Sequence, residues 1–320
     1  MVIATGQFPV IFAPRLQIPN VARFRADESL LSRSVPTMPL PRATVCLSFD
    51  FDALSVWIGP RGSTSPSAIS RGEYAVVGVQ RLLKVLAERS ILATFYVPGH
   101  TIETYPKSIE AILSAGHELG HHGYLHENPG ALDSKDEERR ILERALQSMK
   151  TVAQITPTGY RSPSWDNSPY TTDLLLEYGF RYESSLMADD FSPYWCRTGD
   201  QLHTDRAVEF GSPIDLVEMP VSWVLDDFPH FEFLRYPTVV FPGLSAGSKV
   251  EEIWRDEFTF MHRDVPNGVF TLTMHPEIIG RGYRILMLER LIDWIAGHEG
   301  VEFARISDTA EAWRGTQSAG

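Results

Sequence analysis

The residues best suited to chemistry lie in four short stretches of the sequence. The first, Ser48-Phe49-Asp50-Phe51-Asp52, closes an apolar run that contains β-branched residues. Side chains alternate along a strand, so Asp50 and Asp52 point the same way, roughly 6–7 Å apart, with Phe51 on the opposite face. Two carboxylates held that close repel unless a proton or cation lies between them. Taken alone, the pair reads equally well as a strand end reaching solvent. The second stretch is rich in histidine: five of the ten in the chain fall between His100 and His126. His117/His121 and His122/His126 are each four residues apart, a spacing that puts two imidazoles on one face of a helical turn. His117–His122 reads as a strand and Gly123 opens a turn, which favours His122 at the strand end and His126 one turn on. With Asp52 they supply one oxygen and two nitrogens and leave a coordination position open, as in catalytic rather than structural zinc sites. Zinc is the first choice of a single divalent ion, and cobalt, nickel, manganese or iron suit the same set. Such an ion lowers the pKa of a bound water and polarises a carbonyl, leaving Asp50 as general base.

The third stretch, Gly159-Tyr160-Arg161-Ser162-Pro163-Ser164-Trp165, follows another strand-like run. Arg161 there is suited to a bidentate pair with Asp50 that keeps the base ionised, and Trp165 to an apolar wall of a substrate pocket. Outside this company they would read as a surface arginine and a core tryptophan. The fourth is Thr273-Met274-His275-Pro276-Glu277. His275 can protonate a leaving amine, and works best with a carboxylate that orients it and raises its pKa. Asp189, Asp190, Asp226 and Asp227 are the candidates, and spacing does not choose among them. Ser65–Gly72 and Asp189–Arg197 read as loops beside a cleft, with Tyr194 and Trp195 as apolar contacts. Gly59-Pro60-Arg61-Gly62 lacks the ending and context of a phosphate loop.

These stretches need a scaffold that ends strands at one place. Val45–Phe51, Ile91–Val97, His117–His122, Gly159–Ser162, Phe180–Ser184 and Gly268–Met274 read as strands. Helical patterns lie between them at Tyr74–Ser90, from Pro106 to Gly116, from a capping box at Ser134/Glu137 to about Ala153, at Thr171–Tyr178 and at Ile285–Ala296. A second capping box is read at Ser248/Glu251, and Ser307 as the cap of a final helix. Strands alternating with helices predict an α/β fold with a parallel sheet or barrel, whose chemistry sits where strands end. Residues 1–40 show no sustained period and read as an N-terminal extension; 41–320 reads as one domain.

Composition limits the partners. The 320 residues are 43% hydrophobic and 22% charged, as in ordinary globular chains, and 29 basic against 41 acidic residues give a net charge of −12. That acidity disfavours nucleic acid and anionic membranes, and no apolar run reaches the roughly 18 residues a membrane span needs. Two cysteines, Cys46 and Cys196, cannot build a disulfide framework. Pro9, Pro14 and Pro19 interrupt a start that lacks the pattern of a secretory signal, so a cytoplasmic location is expected.

The ordered set Asp50-x-Asp52, His122-x-x-x-His126, Arg161-x-Pro163-x-Trp165 and His275-Pro276 resembles the polysaccharide deacetylase superfamily, or carbohydrate esterase family four, over about residues 44–314. It is most similar to the signal-less branch containing peptidoglycan deacetylases, cyclic imide hydrolases and allantoinases, whose texture is also seen in Ala68–Tyr74 and Val97–Pro106. The resemblance implies a deformed (β/α) barrel with a metal at the carboxyl ends of its strands. It implies Asp50 as base, Asp52, His122 and His126 as ligands, Arg161 as tether of the base, His275 as acid, and Asp190 as the residue that orients His275. Two departures stand out: Phe51 separates aspartates that are adjacent in the common motif, and Gly123 replaces a Ser or Thr whose side chain would orient the turn. The expected activity is metal-dependent hydrolysis of a non-peptide carbon–nitrogen bond, most simply N-deacetylation of an N-acyl sugar or small amine. Ring opening of a cyclic imide or ureide is the alternative reading, and a non-catalytic carbohydrate-binding protein the third. The expected partners are a small-molecule or carbohydrate substrate; a homo-oligomer is left open.

Overall fold

A computed structural model describes residues 41–235 and 240–317; the predicted extension, 1–40, lies outside them. The strands, in chain order, are β1 (Ala43–Asp50), β2 (Thr94–Val97), β3 (Glu118–His121), β4 (Gly159–Tyr160), β5 (Tyr182–Glu183), β6 (Tyr194–Thr198), β7 (Ser212–Glu218), β8 (Leu234–Arg235), β9 (Val240–Phe241), β10 (Gly268–Met274) and β11 (Val301–Phe303). One sheet runs β10-β1-β2-β3-β4-β5-β7-β6, while β8 and β9 form a separate ribbon. Its pairings are parallel except β6–β7. One edge of β1 is shared: Ala43–Val45 pair with β11 and Ser48–Asp50 with β2, while the other edge follows β10 along Ala43–Phe49. With helices outside and a curled, open sheet within, this is the deformed (β/α) barrel of the polysaccharide deacetylase type.

The pleat of β1 decides what faces where. Ala43, Val45, Leu47 and Phe49 enter the main apolar core with residues of the helices Ala75–Glu88, Gly247–Asp264 and Gly282–Ala296. Cys46, on the other face, packs with Tyr96, Tyr182, Val217 and Val269 from strands spread across the sheet, which meet only on its concave side. Ser48 and Asp50 continue that concave row, so it turns from apolar to polar toward the carboxyl end. Helix Ala75–Glu88 meets the turn after β10 backbone to backbone: a Cβ on Gly78 would lie 1.9 Å from the Pro276 carbonyl oxygen.

The predicted strand–helix alternation is present, with boundary shifts of a few residues, and Ser134 Oγ accepts from the Glu137 amide at 3.3 Å, as its capping role requires. The second capping box is not formed. The helix begins at Gly247 after Ala246, and Glu251 instead pairs with Arg290 at 2.6 Å and Arg255 at 2.7 Å. Ser307 likewise lies inside the helix Ile306–Thr316, which follows Arg305. Asp189–Arg197, expected to be a loop, contains most of β6, and β7 lies where no strand was expected. Pro213 and Asp215 hid β7, but Pro213 falls where that strand is flanked only by β6, so its missing amide breaks no central ladder. No helix among the described residues is long and apolar enough to cross a membrane.

Candidate metal centre and active site

Asp52 follows β1, and its main chain is clamped: its carbonyl accepts from Ser55 Oγ at 2.6 Å and Thr101 Oγ1 at 2.7 Å. Its carboxylate faces two imidazoles, with Oδ1 3.4 Å from His122 Nε2 and Oδ2 3.3 Å from His126 Nε2. One ligand atom from each of Asp52, His122 and His126 lies within 4.8 Å of the other two, close enough for the three to share one ion. Asp52 Oδ1 and His122 Nε2 are buried and have no hydrogen-bond partner among the described residues. On the other side of the ring, His122 Nδ1–H donates to the Arg161 carbonyl at 2.8 Å. That bond fixes the tautomer in which Nε2 offers its lone pair to a cation, the usual support of a ligating histidine. Burial alone would raise the Asp52 pKa, but His126 and His122 outweigh it and hold the carboxyl well below its ordinary range. Burial works against a charged His122, yet Asp50 and Asp52 draw its pKa up. The pocket therefore calls for positive charge, and the donor set fits a divalent ion.

His122 and His126 do not share a helical turn, contrary to the spacing argument. The chain leaves β3 through Gly123 at φ 68° and reaches His126 at φ 59°, a loop in which two left-handed residues swing the second ring back. Glu127 holds this loop: its Oε2 accepts from the amides of Tyr124 at 3.0 Å and Leu125 at 2.8 Å. This carboxylate, which the sequence reading missed, orients the turn from downstream, where the common motif uses a Ser or Thr at the position of Gly123. A carboxylate directly after the second histidine was the available signal. His117 and His121 belong elsewhere. His117 Nδ1 accepts from the Ala93 amide at 3.1 Å, and His121 faces the Leu142 carbonyl at 3.2 Å, where burial lowers its pKa to about 4 and keeps it neutral.

Asp50 lies beside the ligands without joining them closely, 4.0 Å from His122 Nε2. Arg161, fully buried, donates from Nη1 to Asp50 Oδ1 at 2.8 Å and to Ser48 Oγ at 2.9 Å. Its Nε and Nη2 donate to the carbonyl and hydroxyl of Ser184, each at 2.9 Å, and its guanidinium sits 4.2 Å above the Tyr96 ring. The expected bidentate pair is thus a single bond, because Ser184 engages the other nitrogens.

His275 follows β10, and its Nδ1–H donates to Asp227 Oδ1 at 2.7 Å while Nε2 points toward Asp52, 3.9 Å away. Asp190 does not perform that role. It is exposed, in a turn where Asp189 Oδ1 accepts from the Phe191 and Ser192 amides, and it lines a separate cavity of about 470 Å³. Asp227 is brought in because Asp226 bridges Thr273 of β10, two residues before the histidine. Burial opposes a charged His275, but Asp227 and Asp226 raise its pKa well above the ordinary value; burial pushes Asp226 up to about 7.

A cavity of about 620 Å³ opens over Asp50, Asp52, His126 and His275. Trp165 lines it, its ring tilted 33° against that of Trp223 with ring centres 4.3 Å apart, and Val56, Phe228 and Pro229 complete an apolar wall. Ser164 and Trp165 both have positive φ, 60° and 53°, a strained pair beside the site. Tyr194 does not line this cavity: β6 is the far edge of the sheet, and the Tyr194 hydroxyl accepts from the Ala188 amide at 3.1 Å. Trp223 and Phe228 take the place proposed for it; they lie in the stretch whose elements were hidden from sequence.

A family model described as polysaccharide deacetylase matches residues 71–183, which include His122, His126 and Arg161. A peptidoglycan deacetylase from Helicobacter pylori is 38% identical over 279 residues, covering 83% of this chain and 94% of that protein. The chain belongs to the polysaccharide deacetylase family. Among solved structures of this fold, a putative polysaccharide deacetylase from Mycobacterium smegmatis is 36% identical with a TM-score of 0.77, over 88% of this chain and 93% of that one. An allantoinase shares the fold at 22% identity and a TM-score of 0.69, over 88% and 95% of the two chains.

Proposed function

We propose that this family member is a metal-dependent hydrolase of amide carbon–nitrogen bonds outside peptides, with an N-acetyl group on a sugar or small amine as its first substrate class. What carries the reading is the facing of orphaned Asp52 Oδ1 and His122 Nε2 at 3.4 Å, beside a tethered carboxylate and a carboxylate-backed histidine under one cavity. Asp52, His122 and His126 would hold the ion, zinc first. Bound there, a divalent ion supplies a Lewis acid for the amide carbonyl and lowers the pKa of water. Asp50, kept in place by Arg161, takes a proton from the attacking water. As the new carbon–oxygen bond forms and the carbon–nitrogen bond breaks, His275 Nε2 gives its proton to the departing nitrogen. Asp227 holds His275 in the tautomer and charge state that allow this. The name of the Helicobacter relative supports the N-acetyl substrate class. The Trp165–Trp223 wall equally suits a flat ring, which favours a cyclic imide or ureide as the second reading.

Assay of acetate release from N-acetyl sugars and N-acyl amines, alongside ring opening of succinimide-type imides and allantoin, separates the two. Under either reading Asp50→Asn lowers kcat by about 10²–10⁴-fold on the preferred substrate. A variant with wild-type turnover would remove Asp50 from the mechanism.

A further inference from the structure

Beside Asp50 on the next strand stands Tyr96, its register partner on β2. The same layer of the sheet continues through Gly120 on β3, Gly159 on β4 and Tyr182 on β5. Tyr96 pairs with Gly120 and Gly159 with Tyr182, while the pairing of His121 with Tyr160 sets the two glycines side by side. The missing side chains leave room on the concave face, and the two tyrosine rings fill it. A Cβ on Gly120 would lie 2.4 Å from Tyr96 Cδ1, and one on Gly159 would lie 2.0 Å from Tyr182 Cζ. The rings fold toward each other over these glycines. Tyr96 Oη–H donates to Tyr182 Oη at 3.2 Å, and Tyr182 Oη–H donates to Glu118 Oε1 at 2.8 Å. Both tyrosines are fully buried. Tyr96 is thus held at its strand and at its hydroxyl, and the Arg161 guanidinium carbon lies 4.2 Å from the centre of its ring.

That contact bears on which oxygen of Asp50 is free. A guanidinium donates in its own plane, and four acceptors hold Arg161 by its nitrogens: the Ser184 carbonyl and hydroxyl, Ser48 Oγ and Asp50 Oδ1. The electron-rich ring attracts the cation and occupies the space into which it could otherwise sink. Arg161 therefore reaches Oδ1 alone, and Asp50 Oδ2 stays on the side of the imidazoles, 4.0 Å from His122 Nε2. We propose that Tyr96 is a positioning residue of the hydrolytic reaction: its ring, bedded on Gly120, keeps Arg161 on one oxygen of Asp50 and leaves the other to take the proton from water. This assignment rests on the amide hydrolase reading of the site and deepens it.

In a proton–nitrogen correlation spectrum of the zinc-loaded full chain, the Arg161 Nε–H resonance is the one lost in Arg161→Lys. Tyr96→Leu should shift and broaden it, and so should Gly120→Ala, whose added methyl meets the ring. Tyr96→Phe, which keeps the ring, should leave the resonance sharp and near its wild-type position. On the substrate preferred in the acetate-release and ring-opening assays, Tyr96→Leu should lower kcat about 10–100-fold, with KM within about twofold and metal content unchanged. Tyr96→Phe should recover most of that loss. In an Asp50→Asn background, Tyr96→Leu should cost less than about twofold, because residues acting through one group do not add. A resonance that moves in neither Tyr96→Leu nor Gly120→Ala overturns the assignment. So does an equal fold-loss of kcat in both backgrounds, or a loss in Tyr96→Phe as large as in Tyr96→Leu. The expected resonance changes in a wild type that turns over no substrate of either kind count against the hydrolase reading alone.

Discussion

His275 shows how one hydrogen bond assigns a role that sequence left open. Four aspartates were eligible to orient it, and the resemblance pointed to Asp190, yet the side chain at Nδ1 is Asp227, 2.7 Å away. The difference was not legible because the pairing depends on a bridge between Asp226 and Thr273, a tertiary contact between segments far apart in the chain. Asp227 raises the His275 pKa against the effect of burial. As a general acid, His275 must be protonated, so a raised pKa extends activity toward higher pH. Asp227→Asn is therefore expected to move the alkaline limb of the kcat profile to lower pH and to reduce kcat by about 10²–10⁴-fold. Asp190→Asn should leave both unchanged. An alkaline limb that stays in place in Asp227→Asn, or moves in Asp190→Asn, would refute this assignment. By contrast, the common direction of Asp50 and Asp52 was readable from strand periodicity alone, because alternation along β1 is a local property.

At the scale of elements, the strand ends deliver the chemistry and the loops aim it. β1 ends at Asp50, and β3, β4 and β10 each end one residue before His122, Arg161 and His275, which the alternation of apolar runs made legible. How His126 returns to His122 was not legible, since the turn depends on left-handed backbone at Gly123 and His126 and on a carboxylate acting from outside the motif. Glu127→Ala frees the amides of Tyr124 and Leu125 and loosens that turn. Metal affinity, read by competition with a chromogenic chelator, should fall about 10–100-fold, the scale of lost support behind a ligand. Glu127→Gln, which keeps an accepting oxygen, should recover part of the loss. Wild-type affinity in Glu127→Ala would show that the loop holds itself. β6 and β7 escaped the sequence reading for a different reason: neither has a clean alternation, and their placement comes from pairing with each other and with β5.

Across the molecule, the barrel carries a buried acid pair that the catalytic account does not use. Glu183 on β5 and Glu218 on β7 are partners in register, both fully buried, and Glu218 accepts from the Ser185 and Leu186 amides at 3.0 and 2.9 Å. Burial, and then Glu183 beside it, raise the Glu218 pKa. An acid with a raised folded pKa takes up a proton on folding. Its contribution is full below the ordinary value of about 4.3 and is lost as pH rises through the folded value. Glu218→Gln removes that titration, so its urea midpoint should fall less than the wild type's as pH rises above the ordinary glutamate value. Parallel profiles would contradict the raised pKa. The fold class was readable in the chain as a whole because many weak signals agreed. The central claim is narrower: Asp52, His122 and His126 grip one cation while Asp50 stands aside. Elemental analysis of protein purified without chelator tests it most directly. The wild type and Asp50→Asn should each carry about one divalent ion per chain, and Asp52→Ala and His122→Ala should lose it. A full metal complement in Asp52→Ala would contradict the account.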